Sequence, residues 1–333
     1  MTAPSGLGSS EPQEAEVEYR RGAALLRGGR PAEAREPLSR AVALAPDQAH
    51  PRVAFAACLA ALGEGAAALE TLRDVPLLSP SAADAEKIVR IARALTDPFR
   101  RLAPAERAAL EPALRELDRD AAGAASDLLE GVLARFPALA AAHLLQALAA
   151  ERLGDRLRSS DELRKAAALA PELPQPHAYL ARLATAERPE VAAEAFAEAL
   201  KRNPLDPEVL RASGELDLER LGNPGRAADS LARAAALTPG DAALQILAAR
   251  AELSAGSFAA ASRRLGDAIR SRRRDARALL RIAAAAYDGR SRVEGEVARR
   301  IMTQCIDDAV AAVQELEPDN PTAHGLRRAA HEG

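Results

Sequence analysis

The sequence has no tryptophan, and aromatic residues make up only 2% of it. Stacking platforms for single-stranded nucleic acid interleave aromatic rings with cations, and no stretch here does so. Lysine occurs three times, at Lys87, Lys165 and Lys201. No glycine-rich loop runs into Lys-Ser/Thr, and the Gly6/Gly8 and Gly63/Gly65 pairs follow no strand pattern, so a phosphate-cradling loop is not read. The two cysteines, Cys58 and Cys305, are far apart among apolar neighbours and read as buried free thiols. None of the histidines His50, His143, His177, His324 and His331 has a second His or Cys at metal-ligand spacing. Adjacent acids such as Asp307 and Asp308 diverge around a helix. No catalytic residue, metal or cofactor is expected, and the chain is read as non-enzymatic. Long apolar runs are missing too: the best, Ala138 to Ala150, stops at Glu151-Arg152, too short for a bilayer. The opening MTAPSGLGSSEPQEAE has neither the basic nor the apolar region of a signal peptide. A net charge of −3 gives no general pull toward nucleic acid or anionic membrane. The expectation is a cytoplasmic protein without membrane insertion.

What the chain does have is alanine, leucine and arginine. Hydrophobic residues make up 48%, most of them Ala and Leu. These are strong helix formers, and the β-branched and aromatic residues that strands favour are scarce. The Ala and Arg richness also suits a GC-rich bacterial genome. Prolines mark a repeat: Pro46 and Pro80 are 34 residues apart, as are Pro137 and Pro171, and Pro204 and Pro239 follow at 33 and 35. A further step of 34 reaches Arg273 in a turn-like RRRDA segment. Eight residues before the seven marks stand Leu38, Leu72, Leu129, Leu163, Phe196, Leu231 and Leu265. Twelve before stand Ala34, Ala68, Ala125, Ser159, Ala192, Ala227 and Ala261. Five before stand Ala41, Val75, Val132, Ala166, Ala199, Ala234 and Ala268. Seventeen before stand Gly29, Gly63, Asp120, Gly154, Glu187, Gly222 and Gly256. Spacings of three and four put the first three columns on one helical face. The glycine column suits the left-handed end of a preceding helix, and the proline stops the second helix.

A helix–turn–helix of 34 residues with this Gly, Ala, Leu/Phe, Ala, Pro series resembles the tetratricopeptide repeat. The resemblance is best in Ala15–Gln48, Ala49–Ala82, Ala140–Pro171 and Leu205–Asp275, and spans about four fifths of the chain. The early Trp of the family is absent, and its aromatic positions are mostly Leu or Ala. The resemblance implies an all-α, right-handed solenoid of antiparallel helix pairs. The 57-residue step from Pro80 to Pro137 holds a surplus helix over 82–96, with Ser81 as N-cap and Asp97-Pro98 as stop. Pro112 falls within the first helix of the next repeat and predicts a kink there. A change of direction or a looser joint is expected near Thr96–Pro104. The predicted organisation is a tail over 1–14, two repeats over 15–82, an irregular joint with a degenerate repeat over 83–121, a second array over 122–318, and a capping helix with tail over 319–333.

In the family the first helix of each pair lines a concave groove that binds another protein. Counting back 30, 27, 23 and 20 from each mark gives Tyr19, Leu26, Val53, Leu144, Leu148, His177, Leu216, Ile246 and Arg250 as groove candidates. The set is apolar and suits an amphipathic or apolar partner segment rather than an acidic peptide. A cationic cluster, Arg270, Arg272, Arg273, Arg274 and Arg277, is a candidate site for an acidic partner. The expected function is a protein–protein interaction adaptor or assembly scaffold. A self-associating array and a regulatory subunit of an enzyme complex are the alternatives.

Overall fold

The structure, a computed structural model, describes residues 11–332. They form eighteen α-helices, and no strand is present among them. The helices are α1 (Glu11–Arg27) and α2 (Pro31–Leu44), α3 (Ala49–Ala61) and α4 (Gly65–Leu72), then a 3-10 turn at Val75–Leu78 and the single helix α5 (Ala82–Leu95). There follow α6 (Pro104–Asp118) with α7 (Ala122–Arg135), α8 (Ala140–Arg152) with α9 (Arg156–Leu169), and α10 (Gln175–Ala184) with α11 (Pro189–Arg202). The chain continues with α12 (Pro207–Glu219) and α13 (Pro224–Leu237), α14 (Ala242–Ser254) and α15 (Phe258–Arg270), α16 (Ala276–Arg290) and the long α17 (Glu296–Leu316), and α18 (Pro321–Glu332). No described helix is long and apolar enough to cross a membrane. Two compact units divide the chain. One holds the residues up to Leu78 together with Lys87–Val209; the other holds Ser79–Glu86 and the residues from Leu210 onward.

The marks explain where second helices stop. α2, α7, α9, α11 and α13 each end two residues before their proline. The residue between, Ala45, Phe136, Ala170, Asn203 or Thr238, has left the helix, with φ near −130° and positive ψ. A proline forces this on the residue before it, because its ring clashes with a helical neighbour. α4 is the exception. It stops at Leu72, well before Pro80, and Val75-Pro76 continue as the 3-10 turn instead.

The turn column reads equally plainly. Gly29, Gly63, Gly154, Gly222 and Gly256 all carry positive φ, and Asp120 adopts the same conformation at φ 60° without being glycine. The turn at Glu187 is built differently: α10 is short, and the Arg188 N–H bonds back to the Ala184 carbonyl at 2.8 Å.

The three helical columns are the core. The residues twelve and eight before the marks are buried in every repeat, from Ala34 and Leu38 to Ala261 and Leu265. Each large side chain so buried contributes about 1.5–3 kcal/mol of transfer free energy. In the first unit α1 packs on α2, α3 on α4, α6 on α7, α8 on α9 and α10 on α11. In the second, α14 packs on α15, α16 on α17, and α18 lies against both α16 and α17. α6 runs through Pro112 as one helix, and α2 likewise runs through Pro37.

Candidate partner-binding surface

The first helices supply two kinds of face. On α1, Glu16, Tyr19, Ala23 and Leu26 recur at three and four residues and are half-buried. The same face continues on α3 through His50, Ala57 and Ala60, also half-buried. The His50 ring stands edge-on to Tyr19, centroids 4.7 Å apart, and its Nε2 lies 3.7 Å from the Glu16 carboxylate. Val53 lies between, fully buried. This surface is apolar through its middle, with a polar margin at Glu16 and His50.

Farther along, most of the corresponding positions are closed by the chain itself. Leu144 on α8 is 4% exposed, packed with Leu163, Tyr179, Leu180 and Leu183. Leu148 is half-buried against the cluster around Leu110 and Leu145. Ile246 on α14 belongs to a core formed with α15, α16 and α17. Leu216 is buried. Arg250 is buried as well and donates Nη2 to Glu219 at 2.6 Å. α8 buries nine of its thirteen residues and α14 eight of its thirteen. A helix that is apolar all round is a core helix, and counting from the proline marks cannot separate it from one with an open face.

His177 shows a regularity that the proline count passes over. It lies six residues after Pro171, as His143 does after Pro137 and His324 after Pro318. His143 Nε2 lies 3.0 Å from the Pro137 carbonyl and His324 Nε2 3.1 Å from that of Pro318; Arg52 donates to the Pro46 carbonyl from the same step. These side chains tie the first turn of one pair to the end of the preceding one. At Pro171 the carbonyl accepts from Arg202 instead, and His177 Nε2 is left buried without a partner. Burial, aided by the Arg202 charge, holds the His177 imidazole below its ordinary range.

His143 does more than tie a turn. Its Nδ1 lies 2.6 Å from Glu162 of α9, and Lys165 donates to the other oxygen of that carboxylate at 2.7 Å. Burial pushes the Glu162 carboxyl up, but the hydrogen bonds with His143 and Lys165 outweigh it, and the group sits below the usual carboxylate range. Cys58 and Cys305 are buried free thiols. Burial raises both, Cys305 to about 12, which leaves them protonated and inert at neutral pH. No group of three or more His, Cys, Asp or Glu able to hold a metal occurs among the described residues.

The arginine cluster is largely engaged with its own chain. Arg270 pairs with Asp267 at 2.6 Å. Arg272 donates to the carbonyls of Pro239 and Ala268, and Arg273 holds Glu315 through both carboxylate oxygens. Arg274 and Arg277 are exposed.

Two segments of the chain match tetratricopeptide repeat family models, residues 11–89 and residues 181–242. No curated protein matches the chain. Among solved structures it is similar to pilF of Pseudomonas aeruginosa, at 18% identity and a TM-score of 0.46 over 67% of this chain and 97% of that one. It is similar to PilW, described as a widely conserved type IV pilus biogenesis factor, at 16% identity and a TM-score of 0.46 over 68% and 99%. A tetratricopeptide repeat protein from Parabacteroides merdae stands at 15% identity and a TM-score of 0.45 over 68% and 99%. With these segments folded as antiparallel helix pairs that bury the repeated small and large columns, residues 11–89 and 181–242 are tetratricopeptide repeats.

Proposed function

We propose that this protein is an adaptor or assembly scaffold that captures an apolar or amphipathic segment of a partner protein on the first-helix face of α1 and α3. The observation that carries the reading is the contrast between faces. Tyr19, Ala23, Leu26 and Ala57 stay half-exposed, Tyr19 and Leu26 resting in part on the cluster of Ala34, Leu38 and Cys58, whereas Leu144, Leu216 and Ile246 are buried in the core. An apolar strip with a polar edge suits the apolar side of a helix or extended segment, and gives a carboxylate-rich peptide little to hold. Tyrosine at such a place supplies contact area at low entropic cost and is over-represented among residues that dominate binding energy.

The test is affinity capture from lysate of the source organism with the full-length chain, alongside a Tyr19→Glu/Leu26→Glu variant. Both positions are half-exposed, so the variant keeps its helical circular dichroism and melting behaviour. The expected result is one dominant retained protein with the natural chain and its loss with the variant. Equal retention by both chains would sink the proposal.

A further inference from the structure

The start of α16 carries positive charge that nothing in the chain neutralises. Arg277 and Arg281 stand one turn apart on the helix, and Arg274 lies just ahead of its Asp275 cap. All three are exposed, and among the described residues none has a hydrogen-bond or ion-pair partner. The cause is local sequence. A helical arginine pairs with a carboxylate three or four residues away, as Arg211 of α12 does with Glu215 at 2.8 Å. At those distances from Arg274, Arg277 and Arg281 the chain holds only Arg, Ala, Leu and Ser. Asp275, the one acid among them, is engaged as the cap and accepts the Ala278 N–H at 2.9 Å.

The surroundings do not supply the missing charge. Acids elsewhere in the second unit are taken by other arginines: Asp267 by Arg270, Glu315 by Arg273, and Asp288 by Arg292. α16 packs on α14, where the residues thirty-four before Arg277 and Arg281 are Ala243, exposed, and Leu247, half-buried. The arrangement also works against the helix that bears it. Arg277 and Arg281 are a like-charged pair four residues apart, which destabilises a helix, and both Arg277 and Arg274 sit at the positive end of its dipole. Nothing inside the molecule offsets these costs. An incoming carboxylate would offset both, and exposed guanidinium groups are built to take it through two parallel hydrogen bonds.

We propose that the start of α16 docks an acidic segment of a partner protein, its carboxylates meeting Arg274, Arg277 and Arg281. Charge complementarity names the occupant. One helical turn separates Arg277 from Arg281 by about 6 Å along the axis, close to the spacing of alternate residues in an extended chain, about 7 Å. An extended segment with acids at alternate positions therefore matches the row. A single-stranded nucleic acid fits less well, because no aromatic ring is interleaved with these cations. This surface lies in the second unit and goes beyond the reading of the α1 and α3 face without resting on it.

The experiment uses the full-length chain and, as probe, a fluorescein-labelled, end-blocked octapeptide of alternating Glu and Ser, read by fluorescence anisotropy at low salt. An Arg274→Gln/Arg277→Gln/Arg281→Gln variant removes the row. An Arg100→Gln/Arg101→Gln/Arg188→Gln variant removes the same charge from exposed arginines of the first unit. The expected result is peptide binding by the natural chain, at least tenfold weaker binding by the row variant, and a change of no more than twofold in the other. The row variant should melt cooperatively, at no lower a temperature than the natural chain, because the like-charged pair is gone. A labelled pentathymidylate, which carries the same four charges, should bind more weakly than the peptide. No binding by the natural chain, equal binding by the row variant, or an equal loss in both variants would overturn the proposal. So would loss of the cooperative melt in the row variant, which would make the row structural, or tighter binding of the pentathymidylate, which would make it a nucleic-acid site. The probe reads α16 alone, so its outcome is separate from partner capture at Tyr19 and Leu26.

Discussion

Gly214 in α12 and Gly131 in α7 are both helical glycines, and only the first has a packing reason to be one. A Cβ at Gly214 would lie 2.5 Å from Leu231 Cγ and 3.3 Å from the Ala227 carbonyl oxygen, whereas one at Gly131 would meet nothing within 4 Å. Gly22 repeats the arrangement against Leu38. The large residue eight before each proline therefore packs against a small residue on the first helix: Gly22, Ala56, Ala113, Ala147 and Ala249 lie twenty-four before their marks, and all are buried. Replacing Gly by Ala in a helix gains up to about 1 kcal/mol when nothing else changes, and overpacking a filled site costs about 1–3 kcal/mol. Gly131→Ala should raise the urea midpoint, and Gly214→Ala should lower it, with a net loss of stability of up to about 2 kcal/mol. Two midpoints moving in the same direction would refute this account of the packing. The large column was visible in the sequence because every repeat holds Leu or Phe there. Its small partner was hidden, since alanine is everywhere in this chain and the 33- and 35-residue steps shift the count by one.

At the scale of elements, helix ends were the most legible feature, because proline acts locally and leaves the preceding residue little choice of backbone. The surplus helix occupies Ala82–Leu95, and Ser81 caps it by accepting the Asp84 N–H at 3.2 Å. Side-chain ties between helices were not legible, because they join residues 12 to 19 apart with no fixed spacing. The tie of α8 to α9 through His143 and Glu162 is one, and that of α14 to α15 through Glu252 and Arg264, at 2.7 Å, is another. The first has a pH signature. The folded Glu162 carboxyl sits below its ordinary value of 4.5. Its contribution to stability is therefore complete above the unfolded value and is lost as pH falls through the folded one. At neutral pH, Glu162→Gln should cost about 1.5–3 kcal/mol, the usual worth of hydrogen bonds to a charged group. The gap between natural and variant urea midpoints should then close as pH is taken from about 6 to about 3. A gap unchanged across that range would mean that Glu162 is not held as a carboxylate by His143 and Lys165.

For the molecule as a whole, repeat architecture was readable, and which first-helix faces stay open was only partly so. Tyr19, Leu144 and Ile246 share a place in the repeat, yet the first lies on a half-open face and the other two inside a core. Which first helices stay open depends on what lies across them, and a count along one repeat carries no such information. The same physics governs the end of a stack. A repeat buries one face on its predecessor and offers the other to its successor, so the last needs a cover with a polar outer side. α18 provides one for α16 and α17: Ala323 and Ala330 are buried and Leu326 is half-buried against the cluster of Ile282, Met302, Ile306, Val310 and Val313. Its outer side carries Arg327, Arg328 and Glu332, all at least partly exposed, and Arg327 and His331 both reach Asp307 of α17. Removing residues 319–333 leaves that part of the cluster facing water, and an uncovered apolar patch on an otherwise intact array seeks another surface of the same kind. The truncated chain should therefore show a larger, concentration-dependent mass by light scattering than the full chain at equal concentration, along with a lower melting temperature. Two chains of the same association state and the same melting temperature would mean that α18 lies against α16 and α17 without covering anything they need covered.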